Sequence, residues 1–346
     1  MKETKSFKII AVGDIALGNE IMMYWKKNNE TEIQSVFKYT QSILKTGDFV
    51  FGNLEGVLSN NTIHSDLQKY ALRSNPKFVE YLKNAGFNVL NVLNNHSYDH
   101  GTQALIDTVN AIMEIGIIPI GSNREGMCNP SELVPFEVNS LRIGILSFCL
   151  NIGTLKCPNI KLSINQIENI IQKSRKSVDL LIVSLHWGYE YVSLPSAEQI
   201  DIAHRFVDAG ANIILGHHPH VLQPIEKYKE GIVVYSLGNF VFNQRYQITN
   251  YSTILEIEIL GKKIEIHSYS VKIQNGVPKI IGKRIPSIIL SEKELRDRIR
   301  EDYHIFAKKE NKKYKISLYI GFIIDFWKYD IEWYRYMIQR KIKKRK

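Results

Sequence analysis

Cysteine is scarce in this 346-residue chain, which has three. Cys128, Cys149 and Cys157 fall at no spacing typical of a metal site, and an odd, low count argues against a disulfide framework and for a reducing compartment. Long apolar runs are absent too: no stretch approaches the roughly 20 residues that a membrane-spanning helix needs. No secretory leader is recognisable, because Met1 to Ser6 is polar and the apolar run "FKIIAVG" that follows is too short for an h-region. Excess positive charge is missing from most of the chain. The net charge is +10, but residues 308–346 hold 13 Lys+Arg against 4 Asp+Glu, which leaves 32 against 31 before them. A nearly neutral body with no recognised nucleic-acid motif makes nucleic acid the least expected partner. Any polyanion or anionic surface would be met at the C-terminal end. Repeats of solenoid length are also lacking.

What is present is a large apolar share, 44% of residues, enough for one large domain or two ordinary ones. Residues 7 to about 285 alternate between short apolar strands and amphipathic helices, which predicts an α/β body with much of its sheet buried. "FKIIAVGD", "DFVFGNLEG", "FNVLNVLNNH", "IIPIG", "RIGILSF", "DLLIVSLHWG", "NIILGHH" and "IVVYSLGNFVF" read as strands. "NPKFVEYLKNAG" reads as a helix capped by Asn75 and stopped by Gly86, and "TQALIDTVNAIMEIG" as one capped by Thr102 and stopped by Gly116. Further helices are expected at 165–176 and 197–209. From Thr253 the pattern alternates, predicting antiparallel strands and a Gly-containing hairpin.

Polar residues recur directly after the apolar strands: Asp14, Glu55, Asn95 with His96, His186, and the loop Gly216 to His220. Strand ends form the ligand crevice of open α/β sheets, so one shared site is expected. In "ILGHHPHVLQP", three of the ten histidines fall in four positions. Pro219 restricts the backbone between His218 and His220, and imidazoles at such a bend suit Zn, Mn or Fe. Alone, the stretch fits a metal site or a polar loop. His186 alone would be an ordinary hydrogen-bonded residue. Asn95 could ligate through its amide oxygen, His96 could reach a substrate oxygen, and Asp99 could fix the tautomer of an imidazole. The same Asn and Asp residues also favour a plain turn.

The ordered motifs Gly-Asp, Asn-Leu-Glu, Asn-His-x-x-Asp-x-Gly, His-Trp-Gly, Gly-His-His-Pro-His and Ser-Leu-Gly-Asn-Phe resemble the CapA family. These are the poly-gamma-glutamate capsule biosynthesis proteins of the calcineurin-like metallophosphoesterase superfamily, and the likeness spans about residues 7 to 285. The resemblance implies a four-layer α/β/β/α sandwich of metallophosphoesterase type over residues 1–288; the residues beyond it, 289–346, read as a helical basic extension. It implies metal ligands at Asp14, Glu55, Asn95, His186, His218 and His220. His96 would contact the scissile phosphate and protonate the leaving group, with Asp99 beside it. Asn53, Glu190 and Asn239 would support the ligands, and His217 falls outside the set. One or two divalent ions, Mn, Fe or Zn, are implied. Ala16 stands where the wider superfamily has a ligand histidine, and the Asn53–Glu55 region replaces its bridging aspartate, which favours one metal over two.

The function so implied is metal-assisted hydrolysis of a phosphorylated or otherwise anionic small molecule or polymer in capsule, polyglutamate or polysaccharide biosynthesis. A non-catalytic metal-binding or scaffold role in polymer assembly or export, and an amidohydrolase acting on gamma-glutamyl bonds, are the alternatives. The expected location is the cytoplasm or the inner membrane face. The alternative is outside the cell on a membrane anchor, as in other CapA-like proteins.

Beyond the resemblance, Ser291 with Glu294 three residues on predicts a capped helix. "KKENKKYK" reads as a solvated link. Ile316, Ile320, Ile323, Trp327, Ile331, Tyr334 and Ile338 then lie on one helix face. That face is expected either to pack on the body or a second copy, or, with the terminal "KIKKRK", to lie on anionic membrane lipid.

Overall fold

The structure, a computed structural model, describes residues 7–17, 36–63, 72–130, 132–138, 141–153, 155, 157, 162–244, 246–260, 263–299 and 303–324. Two sheets stack face to face, with strands and helices numbered in chain order. The first runs β16 (Val277–Ile280), β15 (Lys263–Gln274), β14 (Tyr251–Leu260), β1 (Phe7–Ile15), β2 (Phe49–Leu54), β5 (Val89–Asn91), β6 (Ile118–Ile120). In the same sheet β13 (Asn239–Val241) pairs with the end of β1, and β17 (Ile285–Pro286) pairs with β15. The second sheet runs β18 (Ile289–Ser291), β11 (Ile225–Tyr228), β12 (Gly231–Val234), β10 (Ile213–His217), β9 (Leu180–His186), β8 (Leu141–Cys149), β7 (Val134–Val138). β3 (Val57–Leu58) and β4 (Arg73–Ser74) form a small separate pair. The helices are α1 (Gln41–Leu44), α2 (Val79–Ala85), α3 (Thr102–Glu114), α4 (Ile164–Arg175), α5 (Ala197–Asp208), α6 (Glu292–Arg298) and α7 (Tyr303–Ile324).

Each sheet is buried on both faces, which is why its central strands read as continuous apolar runs. On β1, Ile9 and Ala11 point between the sheets, where they meet Ile145, Ile182, Ile213 and Leu215. Ile10 and Val12 point the other way, under Leu82 of α2 and Leu105, Val109 and Ile112 of α3. The second sheet is covered likewise: Ile167 and Ile171 of α4 and Ile200, Ala203 and Phe206 of α5 pack on Leu181, Val183 and Ile214. Each such Ile, Leu or Phe contributes about 1.5–3 kcal/mol on burial. The four expected layers, helix, sheet, sheet, helix, are therefore present. Ser163 with Gln166 and Ser196 with Gln199 close capping boxes on α4 and α5, each contributing about 1 kcal/mol.

Local expectations are met and missed for identifiable reasons. Asn75 caps a short 3-10 turn, Pro76–Phe78, that leads into α2. Gly101 rather than Thr102 precedes α3, and no side chain caps it. "IVVYSLGNFVF" is not one strand. It divides into β12 and β13, which belong to different sheets. The chain crosses at Gly238 (φ +69), and a Cβ on Gly13 would overlap the Gly238 carbonyl oxygen. This close passage sets Asn239 in register beside Asp14. The Gly-containing tip between β14 and β15 lies outside the described residues.

Two further differences bear on function. Cys149 and Cys157 form a disulfide and Cys128 is free, so the expectation drawn from cysteine count is corrected: spacing along the chain carries no information on which side chains meet across a loop. "KKENKKYK" is helical, inside α7, not a solvated link. Its inward face, Tyr303, Ala307 and Glu310, is buried; it went unread because alanine, glutamate and tyrosine make a weak apolar stripe. β18 extends the second sheet beside β11, and Leu295 of α6 enters the outer core. Ser291 and Glu294 form the expected capping box. Of the expected C-terminal stripe, Ile316, Ile320 and Ile323 fall within α7; Trp327, Ile331, Tyr334, Ile338 and the basic end lie outside the described residues.

Candidate metal centre

The two sheets bring the C-terminal ends of their parallel strands together at one edge of the sandwich. From the first come Asp14 (β1), Asn53 and Glu55 (at the end of β2), and Asn91 with the following turn through Asn94, Asn95 and His96 (after β5). From the second come His186 (β9) and His217 (β10), which are register partners. The turn after β10 carries His218 and His220. Both hold positive φ, +97 and +59, a conformation that costs about 1–3 kcal/mol each for a non-glycine residue and gathers at functional sites.

Asp14 is the hub. Its Oδ1 accepts from Asn53 Nδ2 at 2.8 Å and from His217 Nδ1 at 3.2 Å, and its Oδ2 accepts from the His218 backbone N–H at 3.3 Å. A buried line of side chains stands behind Asn53: Ser147 Oγ donates to Asn91 Oδ1 (2.6 Å), and Asn91 Nδ2 donates to Asn53 Oδ1 (2.8 Å). Asn94 Nδ2 donates to the Leu54 carbonyl (2.8 Å), tying the turn after β5 to β2. His220 Nδ1 donates to Asn239 Oδ1 at 2.9 Å, leaving Nε2 3.5 Å from Glu55 Oε1. His186 Nε2 meets Asn95 Oδ1 at 2.7 Å. His96 Nδ1 donates to Asp99 Oδ2 at 2.7 Å, and Asp99 is itself held by the Leu72 N–H at 3.2 Å. That leaves His96 Nε2 facing the cluster, 3.6 Å from Glu55 Oε1.

All six sequence-predicted ligands, Asp14, Glu55, Asn95, His186, His218 and His220, thus lie in one cluster, with His96 and Asp99 on its rim. Asn53 hydrogen-bonds to Asp14 and Asn239 to His220. Glu190, expected behind the ligands, lies nearer: its carboxylate and the rings of His218 and His220 offer atoms within 4.8 Å of one another, and Asp14, Glu55 and His186 form a second such group. His217, set aside in the sequence, is buried against Phe51 and bonds to Asp14. Asn91, Asn94, Ser147 and His217 join the hydrogen-bond network of the cluster without having been singled out for it in the sequence. A signal was there for two of them: Asn91 and Ser147 are polar residues inside otherwise apolar strands.

Burial dominates the electrostatics of the cluster. Burial, then the charges of Asp14, Glu190 and Asp99, hold the Glu55 carboxyl well above the usual carboxylate range. Burial raises Asp14 too, but the His217 hydrogen bond, the His217 and His220 charges and the Asn53 hydrogen bond outweigh it and bring Asp14 below its ordinary value. Burial and then the neighbouring imidazoles depress His186 well below the usual histidine value, and burial followed by His220 brings His218 down to about 3. Among the described residues, both Glu55 oxygens and both His218 ring nitrogens are buried and have no hydrogen-bond partner. Buried polar atoms are nearly always partnered, so these four fit an ion that takes nitrogen and oxygen ligands. Neutral imidazoles with carboxylates suit Zn, Mn or Fe.

Comparison with known proteins places the chain among relatives. The family model described as bacterial capsule synthesis protein PGA_cap matches residues 8–244, from the start of β1 to just past β13. The capsule biosynthesis protein CapA of Bacillus anthracis is 34% identical over 292 residues, covering 80% of this chain and 70% of that protein. The PGA biosynthesis protein CapA of Bacillus subtilis (strain 168) is 32% identical over 255 residues, covering 72% of this chain and 66% of that protein. Among solved structures, a hypothetical protein from Thermus thermophilus aligns at 15% identity with a TM-score of 0.45, over 82% of this chain and all of that one (100%). Wild type Vps29 complexed with Zn+2 from Entamoeba histolytica aligns at 12% identity with a TM-score of 0.34, over 81% of this chain and 99% of that one.

Proposed function

The chain belongs to the bacterial capsule synthesis protein family PGA_cap, and from that premise we propose that it is a metal-dependent hydrolase. Its substrate would be a phosphorylated or otherwise anionic molecule used in building a capsule, polyglutamate or polysaccharide polymer. The observation that carries the reading is the set of four buried atoms on Glu55 and His218 that make no hydrogen bond among the described residues, inside a cluster that also holds Asp14, His186 and His220. Asp14, Glu55, Asn95, His186, His218 and His220 would hold one or two divalent ions. Bound there, the ion would supply Lewis acidity, activating water and neutralising charge on substrate oxygens.

The chain's own groups divide the remaining work. The Ser147–Asn91–Asn53 line and His217 hold the Asp14 carboxylate in one orientation. Asn239 holds His220 with Nε2 turned to the cluster. Asp99 keeps the proton of His96 on Nδ1 and would stabilise the imidazolium once Nε2 is also protonated. In that form His96 delivers the Nε2 proton to the leaving oxygen. A second reading, a metal-binding scaffold without turnover, draws on Ala16, which is buried and apolar where the wider superfamily has a ligand. The Cys149–Cys157 disulfide supports an oxidising compartment over the cytoplasm; among the described residues no helix is long and apolar enough to cross a membrane.

The experiment is turnover of phosphomonoester and phosphodiester reporters by purified protein with Mn2+, Fe2+ or Zn2+, beside His96→Ala. Metal-dependent turnover that H96A loses supports the hydrolase. Metal binding without any turnover selects the scaffold.

A further inference from the structure

The C-terminal helix α7 lies against the rim of this centre. Tyr303, Ala307, Glu310 and Tyr314 recur at helical spacing on one face. Tyr303 OH donates to the Leu194 carbonyl at 3.0 Å, and its ring meets Tyr189 edge-on at 5.6 Å. Ala307 joins Val192 in a small apolar cluster, and Glu310 is buried on the same face. The Tyr314 ring stacks on Tyr191 with centroids 3.8 Å apart and planes 18° apart, and touches Tyr246 at 5.6 Å.

Tyr191 reaches the centre in two ways. Its ring stacks on the His220 ring, centroids 5.8 Å apart at 26°. Its backbone follows Glu190, which shares a ligand group with His218 and His220, and its N–H donates to the Pro219 carbonyl at 2.8 Å, between those two histidines. Tyr191 also holds φ +66, a left-handed conformation that a tyrosine keeps only when its surroundings over-determine it. The Pro219 hydrogen bond, the Gln244 amide at 3.5 Å from the Tyr191 hydroxyl, the Tyr246 ring and the Tyr314 stack all constrain it. Without the Tyr314 ring, one side of Tyr191 is released, and any relaxation toward ordinary φ moves Glu190 and the His218–His220 turn together.

We infer that Tyr314 of the C-terminal helix is a positioning residue for the metal centre, acting through Tyr191 on Glu190 and His220. The inference rests on the metal-centre reading above. The test is titration of full-length, metal-free protein with Mn2+ alone, followed calorimetrically, with melting temperatures recorded in chelator. Tyr314→Ala and Tyr314→Leu are compared with Tyr314→Phe, which keeps the ring, and with Lys312→Ala on the exposed side of the helix. The alanine and leucine variants should bind Mn2+ about tenfold more weakly or worse, the usual scale for residues that orient ligands; the phenylalanine and Lys312 variants should match wild type. If the alanine variant does not fold, the leucine variant, which keeps apolar volume, carries the comparison. A leucine variant that melts lower but binds Mn2+ like wild type overturns the inference and leaves the metal centre standing. So does a phenylalanine variant as weak as the leucine one. Wild-type protein that binds no Mn2+ overturns both.

Discussion

Breaking the disulfide between Cys149 and Cys157 gives a perturbation whose size can be worked out from the chain. Cys149 is the last residue of β8 and the register partner of His186, and Cys157 lies eight residues on. In the chain-entropy description, a closed loop of that length removes freedom from the unfolded chain equivalent to about 2.5 kcal/mol at room temperature. With an unfolding entropy of about 2.1 cal/mol/K per residue, that lowers the melting temperature of a chain this long by roughly 3 °C. Thiol titration in denaturant without reductant should find one reactive thiol, Cys128, and three after reduction. Melting with and without reductant should differ by the stated amount, and Cys157→Ser should melt at the reduced value and ignore reductant. Three thiols in unreduced protein, or a melting temperature indifferent to reduction, would refute the pairing and with it the argument for an oxidising compartment.

Glu55 yields a pH prediction. Its carboxyl is held well above the ordinary value by burial and by Asp14, Glu190 and Asp99, so the metal-free folded chain binds that proton more tightly than the unfolded chain. The Glu55 contribution to stability is therefore unfavourable near neutrality and is relieved as pH falls through the raised folded value toward the unfolded one. Glu55→Gln should melt higher than wild type in chelator at about pH 8, with the gap closing in acid; a gap that does not change with pH refutes it. Asn91→Ala removes the link between Ser147 and Asn53 and should cost about 1–3 kcal/mol in urea unfolding. A loss within the error of that measurement would mean the line carries no load. For membrane association through the C-terminal end, flotation with anionic liposomes compares wild type with a chain in which Arg340, Lys341, Lys343, Lys344, Arg345 and Lys346 are changed to glutamine. Wild type should float and the variant should not; equal flotation removes anionic lipid as a partner.

Much of this was legible in the one-dimensional pattern because the fold places its chemistry simply. Each ligand follows an apolar run, and parallel strands end on one side, so Asp14, Glu55, His186 and the His218–His220 loop could be assigned to a shared edge before any coordinates. The helices expected at 165–176 and 197–209 appear as α4 and α5, and only the structure shows the serine–glutamine capping boxes that start them. The residues behind the ligands were harder. Ser147 and Asn91 touch across the gap between the two sheets, 56 residues apart in the chain, and nothing local marks that meeting. "IVVYSLGNFVF" looked like a single strand because both halves are apolar. Only the passage at Gly238 shows that its second half has changed sheets to deliver Asn239.

The sequence by itself determined the alternation of strands and helices and the strand ends at which the candidate ligands fall, because these follow from side-chain period, local backbone preference and the order of motifs. Tertiary structure alone decided three things: that Cys149 and Cys157 pair, that His217 and the Ser147–Asn91–Asn53 line orient Asp14, and that Tyr314 of the C-terminal helix stacks on Tyr191 beside His220. Each is a contact between segments whose separation in the chain says nothing of their distance in space. Such contacts form only once the packing of two sheets and a helix has brought the side chains within a few ångströms.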